Sequence, residues 1–401
     1  MKVLIIGNRS HQFIYNYVKT LKKVYLNSDL EIDILSQDSS DLSFPSDKFY
    51  NNIYALIVPS FFKKNRFLKV LYQHILFRKY IKRLDCYDVV HIHYVENIIV
   101  RDIRFFSKYI RGKLIVSIWG SDFLRASEDR KKNMTVLFNR ADHITIASDK
   151  VIEEFKTCYQ KSSFLSKIVL CRFGLEPLES LISILRSGAN ARISKSKIGL
   201  CADKIVITIG YNASRLQHHI DIIENIERSP LLSPFHDKVE FLLPVTYPED
   251  AEYIGIIKKT VLNSKFHYNV IEQFLSDEDI AHLRVASDIF IQLQPTDMLS
   301  GSMLEHLSAQ NIVITGSWLP YDCLDQWGVF YRKIDCLELI SNELYDVLNK
   351  FVSYKTLTCK NSEIIIDKFR WNNVIHDWLD LYMNRHDNKK VFKKLSFSLS
   401  S

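Results

Sequence analysis

Two carboxylates and a short run of main-chain amides carry the most chemistry in this sequence: Asp297, Glu305 and, between them, Gly301-Ser302-Met303. If a helix opens at these residues, its first N–H groups have no partner within the helix. Its dipole also puts partial positive charge there, so the segment is a seat for a phosphate. Glu305 stands one turn beyond Ser302, which leaves two uses open. The pair closes the helix start as a capping box, or the carboxylate holds the ribose hydroxyls of a bound nucleotide.

A βαβ unit must position these groups. The stretch Ala286 to Tyr321 reads as a buried strand (Asp288–Leu293), a loop (Gln294–Gly301), a helix (Ser302–Gln310) and a second buried strand (Ile312–Thr315). Such a unit belongs to a parallel sheet, whose ligands bind beyond the carboxyl ends of the strands. Trp318 and Tyr321, just past the second strand, are candidate platforms for a sugar or base. Further apolar runs at Lys2–Ile6, Leu30–Leu35, Ile53–Val58, Tyr87–Tyr94, Lys113–Ile118, Asp142–Ser148, Lys204–Ile209 and Val239–Pro244, and one from Val270, alternate with helical patterns. The class is therefore α/β with doubly wound sheets. The loop after the first strand, Gly7-Asn8-Arg9-Ser10-His11, is no dinucleotide fingerprint, because Arg9 and Gln12 stand where glycines are needed. A nicotinamide enzyme is disfavoured.

At 401 residues the chain is about two domains long, and with 47% hydrophobic residues it can bury two cores. Its seven cysteines (Cys86, Cys158, Cys171, Cys201, Cys323, Cys336, Cys359) are scattered, with no C-x-x-C pair, which argues for reduced thiols and against a zinc site. The start, Met-Lys-Val-Leu-Ile-Ile-Gly, is too short an apolar run for a secretion signal, and no stretch is long enough for a membrane span, so the expected location is cytoplasmic. The net charge of +7 suits phosphate ligands or an anionic surface, and no nucleic-acid-binding motif accompanies it.

Residues 61–83 interleave Lys63, Lys64, Arg66, Lys69, Arg78, Lys79, Lys82 and Arg83 with Phe61, Phe67, Leu71 and Ile75. Helices here are either packed on their own sheet with a solvated basic face, or peripheral contacts at the inner face of an anionic membrane. His91 and His93 lie on one face of a strand. No third ligand stands near them, so they read as polar residues at the strand's end rather than as a metal site.

The spacing of Asp297 and Glu305 encloses seven residues and resembles the E-x7-E signature of retaining glycosyltransferases of the GT-B fold, family 4 in particular, with Asp297 in place of the first glutamate. The run Glu305-His306-Leu307-Ser308-Ala309-Gln310-Asn311-Ile312-Val313 is similar to the continuation E-A-L-A-x-G-x-P-V. Tyr87-Asp88-Val89-Val90-His91-Ile92-His93 and Trp119-Gly120-Ser121-Asp122 resemble amino-terminal elements of the same enzymes. Gly210-Tyr211-Asn212-Ala213-Ser214-Arg215-Leu216-Gln217-His218-His219 departs from the family's "GR…KG" loop and is closer to that of bacterial Fuc4NAc-transferase-like enzymes.

The resemblance implies two facing Rossmann-like domains with a cleft between them: residues 1–176 on the acceptor side, a connection at 177–203, a nucleotide-sugar domain at 204–368, a closing helix at 369–387 and a basic, Ser-rich tail at 388–401. It implies transfer of a sugar from a nucleotide-sugar donor to a glycan or lipid-linked acceptor in bacterial surface polysaccharide synthesis, retaining rather than inverting, with no cofactor or metal required. A non-catalytic GT-B partner subunit and a nucleotide-sugar epimerase are the alternatives. Glu305 would hold ribose, Asp297 the donor sugar, and Gly301, Ser302 and Met303 the diphosphate, with Gly210, Asn212, Arg215 and either His218 or His219 beside it. Arg9, His11, His93, Trp119, Gly120 and Ser121 would face the acceptor, with Asp122 as a base or merely a helix cap.

Overall fold

The computed structural model describes residues 1–25, 30–36, 47–82, 84–247, 250–297 and 299–383, with the side chain of Lys63 left out. Arg83, the tail at 388–401, residues 384–387 of the expected closing helix and Met298 of the candidate loop lie outside the described residues. The chain divides into two compact units, Met1–Gly174 together with the chain from Trp371 onward, and Leu175–Arg370.

The first unit is built on seven parallel strands: β1 (Lys2–Gly7), β2 (Glu31–Ser36), β3 (Asn52–Ala55), β4 (Val89–His93), β5 (Lys113–Ile118), β6 (His143–Ile146) and β7 (Ile168–Leu170). Their order is β3-β2-β1-β4-β5-β6-β7, so the chain reverses its direction of travel between β1 and β4, where Ile5 lies beside both Ile34 and His91. The strands are apolar on both faces because helices cover both sides. The helix Trp371–Tyr382 completes the core of this unit. Its Trp371 lies against Gly174, where an added Cβ would come within 2.3 Å of the indole, and Tyr17 donates to Tyr382 Oη at 2.8 Å.

The second unit carries six parallel strands: β8 (Ile205–Ile209), β9 (Val239–Pro244), β10 (His267–Ile271), β11 (Ile289–Gln292), β12 (Ile312–Gly316) and β13 (Arg332–Ile334). The order β10-β9-β8-β11-β12-β13 puts the reversal between β8 and β11. Residues 177–203 lie within this unit, as the helices Glu176–Arg186 and Ala191–Lys197 on the helix Asp277–Ala286. Strands β7 and β13 have three residues each, too few for a periodic signal to separate them from loop.

Candidate functional sites at the two switch points

In an open parallel sheet the crevice outside the strand ends at the reversal is the natural ligand site, so the loops after β8 and β11 frame the first candidate. The helix after β11 spans Gly301–Ser308, with Ser302 to Ser308 all buried and no acidic residue in its first turn. Its cap is Ser300, not Ser302: Ser300 Oγ accepts from Met303 N at 3.2 Å. The amide of Met303 is therefore already used, and among the described residues those of Gly301 and Ser302 are the first-turn donors without an acceptor. Ser302 Oγ is buried without a partner among the described residues.

Asp297 shapes the loop ahead of this helix. Its Oδ2 accepts from Ser300 N at 2.9 Å, from Gln292 Nε2 at 2.9 Å and from Tyr321 Oη. Leu299 sits at φ +72°, a conformation costly for a side chain without local polar groups and one that such a network must enforce. Burial and the Asp297 charge push the Tyr321 hydroxyl far up, so it stays a donor. Tyr321 is 1% exposed and is no platform for a ligand, whereas Trp318 remains 40% exposed with Nε1 bonded to Gln294 O at 2.8 Å.

Glu305 does not cap its helix. Its Oε2 accepts from Arg284 Nε at 3.0 Å, and Arg284 Nη1 faces His306 Nε2 at 3.1 Å. A guanidinium only donates, so His306 Nε2 accepts, in keeping with burial that holds its imidazole well below the usual range. Both partners of the ion pair are under a tenth exposed. Arg284 was not singled out in the sequence; the signal was a charge between the apolar Leu283 and Val285 on the capped helix Asp277–Ala286.

On the β8 side, Gly210 adopts φ +64°, and an added Cβ would come within 2.7 Å of His219 Nε2. Asn212 Oδ1 accepts from Ser214 N at 2.9 Å and Gln217 Nε2 at 3.2 Å, and so folds the loop on itself. Tyr211, half-buried, accepts from Gln294 Nε2 at 3.1 Å and joins the two loops. Arg215 is not a free cation, since it pairs with Asp250 at 3.2 Å and Glu252 at 3.0 Å. His218 is engaged by Asp221 at 2.9 Å. His219 is wholly buried, its pKa lowered to about 4 by burial and then by His218.

The switch point of the first unit is lined by rings. His93 is fully buried at the end of β4, has neither nitrogen bonded among the described residues, and lies in tilted or edge-on contact with Tyr17, Trp119, Phe173 and Trp378. Burial, then His11, lowers its pKa to about 3. His91 is not at the strand end but in the core, bonded to Ser117 Oγ and Tyr382 Oη at 2.7 Å each. Arg9, expected at the acceptor, is buried and pairs with Asp47 at 3.3 Å. His11 caps the helix Gln12–Val24 through Nδ1, 3.2 Å from Phe13 N, and lies edge-on to Trp119 at 4.7 Å.

Gly120 takes φ +103° and Ser121 opens a short helix, Ser121–Leu124. Asp122 is 0% exposed: Oδ1 accepts from Trp119 N and Gly120 N at 3.0 Å, Oδ2 from Val95 N at 2.9 Å. Burial pushes its pKa up to about 6 against the pull of these amides. With both oxygens taken, the carboxylate ties two loops together and offers no open face to an acceptor hydroxyl.

Among the described residues no three His, Cys, Asp or Glu side chains gather to hold a metal ion, and no helix is long and apolar enough to cross a membrane.

With this geometry in hand, the fold is GT-B, the two-unit architecture of many glycosyltransferases. Residues 2–148 match the family described as glycosyl transferase 4-like. The HepE protein of Anabaena, solved in complex with UDP and glucose, is 13% identical over 95% of this chain and 99% of its own, with a TM-score of 0.65. A glycosyltransferase from Rickettsia africae is 14% identical over 96% and 98% of the two chains, with a TM-score of 0.70. A sucrose-phosphate synthase from Thermosynechococcus elongatus is 12% identical over 97% and 100%, with a TM-score of 0.72. No curated protein matches the sequence.

Proposed function

We propose that this chain is a glycosyltransferase that moves a sugar from a nucleotide-sugar donor to a glycan or lipid-linked acceptor, in bacterial surface polysaccharide synthesis. The observation that carries the reading is the end of the helix Gly301–Ser308, where two amides without an acceptor among the described residues stand one turn from a buried carboxylate. The amides of Gly301 and Ser302 would take the donor diphosphate, and Oε1 of Glu305, the oxygen not bonded to Arg284, a ribose hydroxyl. Asp297 has Oδ2 committed to the loop, which leaves Oδ1 for the donor sugar. Departure of the diphosphate is eased by helix-end amides, so the reading needs no cofactor. The resemblance to E-x7-E enzymes favours a retaining outcome. The Anabaena neighbour's UDP complex supports a nucleotide donor.

Isothermal titration with UDP, GDP and dTDP tests this. One of them should bind the wild type, and Glu305→Gln should weaken it at least tenfold, the loss of about one charge-assisted hydrogen bond. Binding of none would instead fit a partner subunit, and unchanged affinity in the variant would remove Glu305 from the site.

Membrane contact belongs to the same proposal. Phe61 (75% exposed), Phe67 (73%), Leu71 (47%) and Ile75 (58%) stand beside exposed Lys64, Arg66, Arg78, Lys79 and Lys82. Phe67, Leu71 and Ile75 recur every four residues along the helix Arg66–Ile81, which gives a bare apolar row with a cationic border. Co-sedimentation with anionic vesicles should fall on Phe67→Ser/Leu71→Ser; equal pelleting would reject the contact.

A further inference from the structure

Arginines from three helices of the first unit converge on one pocket. Arg66 opens the helix Arg66–Ile81, Arg101 lies on the helix Asn97–Phe106, and Arg130 lies in the first turn of the helix Glu128–Arg140. The pocket has a volume of about 370 Å³, within the span of roughly 300–1,000 Å³ usual for small-molecule sites. It opens beside the end of β4, next to the first unit's switch point, with Tyr94 and Glu96 in its wall.

The charges there are not balanced. Asp102, buried on the helix Asn97–Phe106, takes both Nε (3.1 Å) and Nη2 (2.7 Å) of Arg78 and also His74. That carboxylate is therefore spent on its own partners. Arg66 and Arg101 have no carboxylate within ion-pair reach among the described residues, and both are exposed toward solvent. Arg130 donates Nη2 to Val95 O, while its Nε is buried and unbonded among the described residues. One carboxylate, Glu96, lines the wall; burial raises its pKa and Arg130 opposes that rise. The helix Asn97–Phe106 begins here with Glu96 itself at the cap position, its side chain making no cap hydrogen bond, and with no acid in the first turn, so the dipole adds to the positive field and Glu96 offsets part of it. A pocket with three guanidinium groups against one carboxylate selects a multivalent oxyanion, since forked donors match phosphate geometry.

We propose that this pocket holds the phosphate or diphosphate group of the acceptor, an assignment that rests on the transferase reading above and sharpens its acceptor to a phosphorylated one. The helix Arg66–Ile81 supplies a second clue. Arg66, Val70 and His74 face the pocket, and the exposed row Phe67, Leu71 and Ile75 runs one residue further round the same helix. An isoprenoid chain attached to the phosphate would find apolar surface immediately beside its anion.

The test is titration of the full chain with inorganic pyrophosphate and with farnesyl diphosphate, each in the presence of saturating UDP so that the second unit's phosphate seat is filled. Binding of both should weaken at least tenfold in Arg66→Ala and in Arg101→Ala, with Arg101→Lys recovering only part of it, because an ammonium keeps the charge and loses the fork, and UDP affinity unchanged in all three. Farnesyl diphosphate binding more tightly than pyrophosphate, with the difference removed by Phe67→Ser/Leu71→Ser, would identify a lipid source. Equal affinities would identify a soluble phosphate. If UDP binds but neither anion depends on Arg66 or Arg101, this pocket is not the acceptor site and the transferase reading stands. If UDP, GDP and dTDP all fail to bind the wild type, the transferase reading falls and takes the acceptor assignment with it.

Discussion

At the switch point of the first sheet the polar groups are wrapped in rings, whereas at that of the second they are bonded to one another. His93 sits among Tyr17, Trp119, Phe173 and Trp378 with no hydrogen bond among the described residues, and is kept neutral by burial. Glu305, Arg284 and His306 form a chain of contacts at 3.0 and 3.1 Å, and Asp297 gathers three donors. The difference teaches how each loop cluster is held. Ring packing tolerates exchange of one apolar side chain for another, while a buried network loses more than one bond when a single member is removed.

The sharpest way to break this contrast is Arg284→Ala, which strands the Glu305 carboxylate under a tenth exposed. It should cost the second unit about 3–5 kcal/mol in denaturant unfolding, because an uncompensated buried charge is left. The same penalty applies to Glu305→Ala, which is why Glu305→Gln is the better functional probe. A loss below about 1 kcal/mol would mean that the network is not what holds this site.

Next in size is Gly210→Ala. The left-handed backbone and the 2.7 Å approach to His219 should together cost about 1–3 kcal/mol and shift the loop after β8. A crystal structure with that loop unmoved would show that His219 gives way instead.

The histidines sharpen the comparison through pH. The His93 pKa is lowered to about 3 from 6.5, so the folded state binds fewer protons between those values and stability falls as pH drops through that window. Asp122 is raised from 3.8 to about 6, so it contributes the opposite slope, stability lost as pH rises from about 4 to 6. In His93→Phe, which keeps the ring packing, stability should fall less on acidification from pH 6.5 than in wild type. Parallel curves for the two proteins would remove His93 as a source of acid sensitivity.

The smallest effect should come from Arg215→Ala. Its ion pairs are at the surface, so the thermal midpoint should not move measurably, and nucleotide affinity should stay within about twofold. A large drop in affinity would return Arg215 to the diphosphate.

The fold was legible in the sequence because apolar runs in parallel strands are nearly continuous, and β5 and β9 fall at the residues read from the pattern. The helix after β11 was legible for the same reason, but its cap was off by two residues: Ser300 and Ser302 carry the same hydroxyl, and only the backbone turn at Leu299 decides between them. Charged loop residues were the least legible. Arg9, Arg215 and Asp122 have the right chemistry for ligands, but their partners Asp47, Asp250 and the amide of Val95 lie 27 to 38 residues away in sequence. Arg284 was hidden for the converse reason, a buried charge within a segment that looked like ordinary core.

The helix Trp371–Tyr382 has a consequence for how the molecule is made. The first unit lacks Trp378, which donates to Arg172 O at 2.9 Å, and Tyr382, which bonds His91, until the residues that follow Arg370 have left the ribosome. All of Leu175–Arg370 emerges earlier. The unit Leu175–Arg370 can therefore reach its native state first, and the amino-terminal unit must wait, its core unfilled, for the helix Trp371–Tyr382 to arrive.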